Sequence, residues 1–334
     1  MTKRLCQWFS FVLLYGVFSL PAWGEWFDQQ ADIMGTQVRV NLWHQDGEEA
    51  QRVIARVLDD MRGVDARLSP YKPDSELSRI NRLAGVGEQN ISDEMMQLLD
   101  KSLYYSGVTR GAFDISFASV GQHYDYRNKK QPEAVHYEEL MPAVDYRGVE
   151  LIGRRQTVRF NHPDMQLDLG GIAKGYAVDR AVHIIESAGI KHASVSAGGD
   201  SRLLGDKQGR PWIVGVKHPR ATAQTGRLAL TIPLDNVAVS TSGDYERYFI
   251  DPETGERVHH ILNPSTGRSA SDVSSVTVMG PLAIDTDALS TSVFVLGIEK
   301  GLALVNQLRG FDAVIIDRDL KLHYSDGLVQ PPES

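Results

Sequence analysis

Residues 167–179 read Leu167-Asp168-Leu169-Gly170-Gly171-Ile172-Ala173-Lys174-Gly175-Tyr176-Ala177-Val178-Asp179, and this stretch decides the fold. The pattern predicts an apolar strand, a turn on the paired glycines and then a helix. Apolar residues recur in that helix at helical spacing, at Ala177, Ala181, Ile184, Ile185 and Ala188. A glycine pair at a helix entrance lets a ligand approach the backbone closely, and the free N–H groups there favour an anion.

Lys174 is the unusual residue of this stretch. It stands in the first turn of the predicted helix, where the helix dipole favours a carboxylate. We therefore expect Lys174 to face a negatively charged ligand. The alternative is a plain strand–turn–helix corner with a solvated lysine.

The composition is that of an ordinary globular protein. The chain has 334 residues, of which 42% are hydrophobic and 23% are charged, and its formal net charge is −8. An acidic protein without basic runs is a poor nucleic-acid binder, so we expect no nucleic-acid partner. The length is at the upper end for a single core, which favours one large domain or two intimately joined lobes.

The first 24 residues are predicted to be an export signal. Lys3 and Arg4 precede an apolar run over 8–20 that is short for a membrane span, and small residues suit a cut after Gly24. The mature domain would then comprise 25–334 and lie in the periplasm. The alternatives are an uncleaved segment that anchors the protein to the inner membrane, and a core helix.

Cys6 is the only cysteine of the chain. It precedes the apolar run, so it is not the lipidated cysteine that follows a lipoprotein signal. The mature chain would have no cysteine, which excludes disulfides and thiolate metal sites. Loss of the two basic residues of the leader would move the formal net charge from −8 to −10.

The remaining periodicities predict an α+β fold, because helical and strand-like segments are partly segregated. Helices are expected over 47–68, 92–107 and 173–188, within 281–297 and over 299–309. A strand is expected over 31–43 with an interruption at 34–36, and hairpins are expected over 149–160, over 248–262 and through 314–316. Further strands are expected over 192–196, 212–217, 228–232, 237–241 and 272–279.

Two connecting segments carry separate expectations. Pro70 and Pro73 enforce an extended loop over 68–81 that presents Tyr71. A tyrosine on a rigid loop is suited to stacking on a planar ring, and the alternative is that it covers the core. The polar residues 122–143 predict an irregular surface segment.

Asp287 and Thr291 are four residues apart on a predicted helix, so their oxygens share one face. Together with exposed carbonyls near the paired glycines, these are hard ligands of the kind that Mg²⁺ prefers. The alternative is a helix cap by Asp285 and a hydrogen bond from the Thr291 hydroxyl to the preceding turn.

His259 and His260 end a predicted hairpin strand. An unperturbed histidine titrates near neutrality and suits the role of a base, while a structural role stays open for each. Alternation along a strand sends the two rings to opposite faces, so one of them can face a given site. The sequence has no Walker loop, no Gly-x-Ser-x-Gly elbow and no Gly-x-Gly-x-x-Gly opening a helix after an early strand.

Several short motifs occur in a fixed order. They are Met34-Gly35-Thr36, Ser69-Pro70-Tyr71, Gly111-Ala112-Phe113-Asp114, Asp168-Leu169-Gly170-Gly171-Ile172-Ala173-Lys174-Gly175, Gly198-Gly199-Asp200, Ser242-Gly243, His260-Ile261-Leu262-Asn263-Pro264-Ser265-Thr266-Gly267 and Asp287 to Thr291. Each motif is weak alone, but the ordered set is specific. Over residues 30–325 it closely resembles the ApbE family, the FAD:protein FMN transferases.

The resemblance implies an ApbE-like α+β fold with mixed or antiparallel sheets, flanking helices and an FAD cleft between two joined lobes. It implies FAD contacts at Met34, Tyr71, Ala112, Phe113, Asp114, Asp168, Lys174 and Leu262. It implies Mg²⁺ at Asp287 and Thr291, with backbone oxygen from Gly171 and a further contribution from Ser290. Asp287 and His260 become the candidate catalytic residues, and His260 would take the hydroxyl proton or orient the acceptor.

The activity that the resemblance implies is Mg²⁺-dependent transfer of FMN from FAD to a threonine hydroxyl of an acceptor protein, with release of AMP. The implied acceptors are flavoprotein subunits of sodium-pumping NADH:quinone oxidoreductase or of related electron-transport complexes, which would bring the protein close to the inner membrane. Two alternatives stay open. One is a metal-dependent FAD pyrophosphatase that releases FMN and AMP, and the other is a non-enzymatic periplasmic flavin-binding protein.

Overall fold

A computed structural model describes residues 24–221 and 225–329. The predicted export signal thus lies outside the described residues, except for Gly24. The helices are α1 (Gly47–Leu68), α2 (Glu76–Arg82), α3 (Asp93–Val108), α4 (Ala118–Gly121), α5 (Ala134–Leu140), α6 (Ala173–Ser187), α7 (Ala283–Gln307) and α8 (Asp326–Val329).

The first strands are β1 (Glu25–Ile33), β2 (Thr36–His44), β3 (Gln89–Asn90), β4 (Val149–Ile152), β5 (Thr157–Phe160), β6 (Ala193–Ala197), β7 (Asp200–Leu204), β8 (Trp212–Lys217) and β9 (Leu228–Leu234). The later strands are β10 (Ala238–Gly243), β11 (Tyr248–Ile250), β12 (Arg257–His259), β13 (Leu262–Asn263), β14 (Arg268–Ser269), β15 (Val273–Gly280), β16 (Asp312–Asp317) and β17 (Leu322–Tyr324).

The centre of the described fold is an antiparallel sheet of eight strands in the order β1-β2-β6-β7-β10-β15-β16-β17. Helices α1, α6 and α7 cover one face and enclose the main core. The ribbon β8–β9 packs on the other face against Val239, Met279 and Val314. A smaller apolar cluster, which includes Tyr124 and Leu262, forms beside the main core. The predicted α+β class with antiparallel sheets is confirmed.

The predicted helices at 47–68 and 92–107 are confirmed, and side chains cap both. The Asp46 carboxylate accepts hydrogen bonds from the backbone of Glu48 and Glu49 at the start of α1. The Ser92 hydroxyl accepts the Met95 N–H in the first turn of α3. These caps satisfy N–H groups that a helix cannot pair internally.

The single strand expected over 31–43 is wrong, because the structure has a hairpin of β1 and β2. Its turn is Met34-Gly35, and both residues have positive φ angles, 56° and 68°. Such paired left-handed residues close a two-residue hairpin whose twist matches the strands. β1 forms the sheet edge and is largely exposed. Its residues are therefore mostly polar, and the strand could not be predicted from an alternation of apolar residues.

The apolar strand expected at 167–169 is also absent. This segment is extended, but its backbone pairs with a side chain instead of a neighbouring strand. The Asn81 amide accepts from the Leu167 N–H at 2.8 Å and donates to the Leu167 carbonyl at 2.9 Å. The helix predicted after the glycine pair is confirmed as α6.

Two connecting segments are more ordered than we expected. The loop over 68–81 ends at Ser75, whose hydroxyl caps α2. The segment 122–143 contains α5 and two buried tyrosines, Tyr124 and Tyr137, whose hydroxyls lie 2.8 Å apart. Aromatic rings in a polar context bury themselves against the smaller apolar cluster, so an irregular surface segment is a wrong description.

In the described residues, α7 is the one helix long and apolar enough to cross a bilayer by length and composition. It packs inside the fold against α6, β10 and β15, and Phe294 in its middle is fully buried. Its helical geometry breaks at Gly297, where φ is 76°. The prediction of two helices on either side of this residue is confirmed.

The first turns of α6 and α7 meet backbone to backbone. A Cβ added at Gly175 would lie 2.2 Å from the carbonyl oxygen of Ala283, so this approach requires glycine. The Asp179 carboxylate of α6 accepts the N–H groups of Ala283 and Ile284 at 2.9 and 2.8 Å and thereby caps α7. In return, the Gly175 N–H donates to the Asp287 carboxylate of α7 at 3.0 Å.

Replacement of Gly175 by alanine is expected to lower the free energy of unfolding by about 1–3 kcal/mol, because the added methyl group forces the two helices apart. Urea unfolding measures the change. Gly107→Ala in α3 is the matched control, since a Cβ there has open space and alanine is the better helix former by about 1 kcal/mol. Equal effects of the two substitutions would contradict the close contact.

Candidate active site

The candidate active site lies where α6 and α7 begin, on the helix-covered face of the sheet. Alternation along β10 directs Ser240 and Ser242 toward α7, and the Ser240 hydroxyl lies 2.8 Å from that of Thr286. The Ser242 hydroxyl lies 2.9 Å from that of Ser290 and 3.2 Å from that of Thr291. Strand β10 therefore lines the start of α7 with hydroxyl groups.

The four residues predicted to hold a metal come together here. Asp287 and Thr291 lie one turn apart on α7, and the Ser290 hydroxyl donates to the Asp287 carbonyl at 3.0 Å. A Cβ added at Gly171 would lie 3.6 Å from the Thr291 hydroxyl oxygen, so the glycine turn faces this side of α7. A carboxylate, hydroxyls and nearby peptide carbonyls form one set of oxygen donors.

The structural alternatives for this helix turn are wrong. The cap of α7 comes from Asp179, whereas Asp285 pairs with Lys101 at 2.7 Å. Among the described residues, the Thr291 hydroxyl contacts Ser242 and makes no hydrogen bond to the preceding turn of its helix. Asp285 therefore does not cap α7, and the Thr291 hydroxyl does not bond to the preceding turn of the helix.

Lys174 is held by two carboxylates of the chain itself. Its ammonium group lies 2.8 Å from Asp200 and 3.4 Å from Asp287, and it donates to the Gly170 carbonyl at 3.1 Å. Burial alone would lower the pKa of Lys174, but the two carboxylates outweigh burial and raise it. The solvated lysine is therefore wrong, and the negative charge that we expected from a ligand comes from the protein.

Asp287 is almost completely buried, with 4% of its side chain exposed. Burial and then the Asp200 carboxylate raise the pKa of Asp287, while Lys174 and the Gly175 N–H lower it. Two carboxylates and one ammonium leave the cluster with a net negative charge when all three are ionised. A cation at the neighbouring oxygens would relieve that repulsion.

The donor set fits a hard cation. In residues 24–221 and 225–329, no group of three or more His, Cys, Asp or Glu side chains is arranged to hold a metal. A metal at α7 would instead be bound by the Asp287 carboxylate, hydroxyls and a peptide carbonyl. Mg²⁺ is bound in this way, through one or two carboxylates with water and substrate phosphate completing the octahedron.

The neighbouring histidines lie in different environments, as strand alternation predicts. His259 is buried and packs edge-on against Phe294. Its Nε2–H donates to the Ala270 carbonyl at 2.7 Å, and its Nδ1 accepts the Ile261 N–H at 3.3 Å. Burial, His259 and nearby cations lower the pKa of His260 to about 3. The His260 ring is therefore uncharged at neutral pH, and its buried Nδ1 has no hydrogen-bond partner among the described residues.

Tyr71 projects from the proline loop into solvent, with 79% of its surface exposed, so it does not cover the core. Burial of the hydroxyl and the Asp168 charge raise the pKa of Tyr71, and the Arg247 guanidinium interacts with the hydroxyl and lowers it. Asp168 itself accepts the Gly170 N–H at 2.6 Å, and burial raises its pKa. Tyr71, Asp168 and Arg247 thus form one cluster beside the glycine turn.

The hairpin turn between β1 and β2 reaches the same cluster. A Cβ added at Gly35 would lie 3.6 Å from Nη2 of Arg247. The preceding Met34 therefore lies at the edge of the cleft that contains Tyr71.

The other predicted FAD contacts lie around this cleft. A Cβ added at Gly171 would lie 3.1 Å from the Phe113 ring, and Ala112 is the half-buried residue before it. Leu262 belongs to the smaller apolar cluster, whereas Phe113 belongs to the main core. Phe113 and Leu262 therefore pack in two different apolar cores.

The Asp114 side chain is turned inward. Its carboxylate accepts hydrogen bonds from the Ser116 N–H and hydroxyl and from the Tyr146 N–H, at 2.6–2.9 Å. Burial raises the pKa of Asp114. This carboxylate fixes the loop that carries Phe113, so any contribution to FAD binding would pass through that loop.

The sequence did not identify three residues that the structure places in the site, Asp200, Ser242 and Arg247. Asp200 and Ser242 lie in motifs that we noted, but their contacts to Lys174 and Thr291 join distant parts of the chain. The alternation of serines along 238–243 is the signal that would have identified Ser242. Arg247 carries no sequence signal.

Comparisons with known proteins identify the family. The ApbE family model matches residues 34–315. A curated FAD:protein FMN transferase from Treponema pallidum is 32% identical over 319 residues, which cover 89% of this chain and 86% of the relative. Another from Vibrio cholerae is 31% identical over 279 residues, which cover 81% of each.

Solved structures show the same fold. The crystal structure of the ApbE protein from Thermotoga maritima has a TM-score of 0.83 at 32% identity and covers 91% of this chain and 98% of that chain. The flavin transferase ApbE from Vibrio cholerae has a TM-score of 0.81 at 25% identity, with coverage of 92% and 99%. The resemblance found in the sequence is confirmed, and the chain belongs to the ApbE family.

Proposed function

We propose that this protein is a Mg²⁺-dependent FAD:protein FMN transferase, which transfers FMN from FAD to a threonine hydroxyl of an acceptor protein and releases AMP. The observation that carries the proposal is a buried cluster of acid and hydroxyl groups at Asp287, whose Lys174 acts electrostatically on an uncharged histidine, His260. The relatives from Treponema pallidum and Vibrio cholerae, which are named for this activity, support it.

The acid and hydroxyl cluster provides the metal site of the proposal. Asp287, Ser290 and Thr291 would hold Mg²⁺ together with the Gly171 carbonyl, and the bound ion supplies positive charge to the diphosphate oxygens. The chain itself keeps the Asp287 carboxylate in place through Lys174 and the Gly175 N–H. A fixed carboxylate needs no reorganisation during the reaction.

His260 is the proposed base. The ring is uncharged at neutral pH, and Nδ1 is buried, so Nε2 would be the nitrogen that accepts the proton of an incoming hydroxyl. The threonine oxygen forms a bond to the FMN-side phosphorus, its proton passes to Nε2, and the bond between that phosphorus and the bridging oxygen breaks. AMP leaves with the bridging oxygen, and FMN stays on the acceptor as a phosphoester.

The flavin dinucleotide would occupy the cleft between the two cores. Tyr71 is exposed on a loop fixed by two prolines, which suits stacking on a planar ring. Met34, Ala112 and Phe113 lie around the same cleft, with Leu262 on the side of the smaller apolar cluster.

We further propose a periplasmic location and an acceptor among the flavoprotein subunits of sodium-pumping NADH:quinone oxidoreductase or related complexes. The predicted signal at 1–24 supports export. An acceptor of this kind would bring the protein close to the inner membrane.

The direct test incubates the purified protein with FAD and Mg²⁺, with and without a flavoprotein subunit of a sodium-pumping NADH:quinone oxidoreductase. We expect AMP together with a mass increase of the subunit that equals one bound FMN. Free FMN and AMP without an acceptor would identify a pyrophosphatase. Bound FAD without AMP in either reaction would identify a flavin-binding protein.

Asp287→Ala is expected to reduce FMN attachment to background, because it removes the one carboxylate of the proposed metal site. The assay is in-gel flavin fluorescence of the acceptor. Asp59→Ala, on the exposed face of α1, serves as the control and should keep full activity. Full activity of the Asp287 variant would remove this residue from the metal site.

His260→Ala is expected to retain FAD affinity but to slow transfer by about 10²–10⁴-fold, the usual contribution of a general base. Flavin fluorescence titration measures the affinity, and single-turnover labelling measures the rate. His136→Ala, on the exposed side of α5, is the control. Loss of FAD affinity with an unchanged rate for the bound complex would contradict the assignment of the base.

The depressed pKa of His260 predicts a pH dependence of stability. The unfolded chain binds a proton at this residue below about pH 6.5, whereas the folded chain binds it only near pH 3. Folding therefore becomes less favourable as the pH falls between these values. His260→Gln should lose less stability than the unmodified protein between pH 7 and pH 4.5 in urea unfolding, and identical losses would contradict the uncharged state.

A further inference from the structure

Arg247 lies beside the glycine turn with no carboxylate oxygen within 4.0 Å among the described residues. It is exposed, whereas its neighbours Arg220 and Arg257 pair with the buried Asp244 at 2.6 and 3.8 Å. The Asp168 charge acts on Arg247 from a longer distance, so it leaves the N–H groups of the guanidinium without a carboxylate in hydrogen-bond contact. A guanidinium whose N–H groups contact no carboxylate is suited to bind an anion.

The backbone places this guanidinium beside the proposed base. The His260 N–H donates to the Arg247 carbonyl at 3.1 Å, so the two residues are fixed relative to each other. The turn at Gly35 also lies next to the guanidinium, since a Cβ added at Gly35 would be 3.6 Å from Nη2 of Arg247. The Tyr71 hydroxyl interacts with the same guanidinium. Arg247 therefore lies between the hairpin turn, the proline loop and His260.

The charged groups around the glycine turn do not themselves provide a free cation for a diphosphate. Lys174 is engaged by Asp200 and Asp287, so its charge is compensated before any ligand binds. A dinucleotide diphosphate carries two negative charges and would meet a cluster that is itself negative. A bound metal ion would offset part of this charge, and an arginine whose guanidinium contacts no carboxylate would offset more.

We propose that Arg247 binds the FMN-side phosphate of the flavin dinucleotide and positions it beside His260. The inference rests on the proposed function, because it takes FAD as the ligand. The FMN-side phosphate is chosen because its phosphorus is the atom attacked by the hydroxyl whose proton His260 accepts, and Arg247 is fixed to His260. Arg247 thus acts on the reacting phosphate, while Lys174 orders the carboxylates.

Equilibrium binding to Arg247→Gln tests the proposal, with FAD, FMN, AMP and riboflavin as probes in the presence of Mg²⁺. The variant is expected to bind FAD and FMN roughly 10- to 100-fold more weakly, the range for a lost charge-assisted hydrogen bond. Riboflavin and AMP should bind as before, because neither carries the FMN-side phosphate. The affinity of Arg247→Lys for FAD and FMN should lie between those of the unmodified protein and of Arg247→Gln, since lysine keeps the charge but loses the planar guanidinium group.

Arg154→Gln is the matched control, because Arg154 is exposed in the turn between β4 and β5 and loses the same charge. It should leave all four affinities unchanged. Equal weakening of FAD and riboflavin in Arg247→Gln would show a contact to the flavin ring and overturn the proposal. Weakening of AMP with unchanged FMN would also overturn it.

An acceptor carboxylate is the other anion that this arginine could bind. In that case Arg247→Gln would keep FAD and FMN affinity and raise the KM for the acceptor subunit, which would overturn the phosphate assignment. Failure of the unmodified protein to bind FAD would instead refute the proposed function itself. The two failures are therefore distinguishable.

Discussion

Two helices each donate backbone N–H groups to a carboxylate on the other, and the rest of the site depends on this exchange. Asp179 of α6 caps α7, and the Gly175 N–H of α6 fixes Asp287 of α7. The missing side chain of Gly175 lets the backbones approach closely enough for both contacts. Displacement of one helix relative to the other would therefore take the Gly175 N–H away from the Asp287 carboxylate and the Asp179 cap away from the start of α7.

The site also has two halves of different charge. The half on α6 and α7 carries Asp200 and Asp287 against Lys174, and it favours a cation. The half formed by the loops carries an uncharged His260 and the Arg247 guanidinium, which contacts no carboxylate within 4.0 Å among the described residues, and it favours an anion. A diphosphate that binds a metal ion on one side and an arginine on the other matches this division.

The sequence predicts the elements whose patterns are local. Helix α1 shows an uninterrupted apolar stripe with a cap, and Asp287 and Thr291 share one face of α7, so both follow from spacing. The sequence does not predict β1, because an exposed edge strand lacks the alternation of apolar and polar residues. It wrongly predicts a strand at 167–169, because the Asn81 side chain takes the place of a neighbouring strand. Contacts such as Lys174 with Asp200 depend on the tertiary fold, so spacing alone could not reveal them.

The distances around Lys174 explain how the fold accommodates two neighbouring buried carboxylates. The lysine is closer to Asp200, at 2.8 Å, than to Asp287, at 3.4 Å. Asp200 is thus its principal partner, and Lys174 offsets the repulsion between two buried carboxylates while the chain folds. The Asp287 oxygens remain less committed to the ammonium group, so a divalent cation can bind them without displacing the lysine from Asp200. The unusual lysine in the first turn of α6 is therefore a counter-charge for the carboxylates of Asp200 and Asp287.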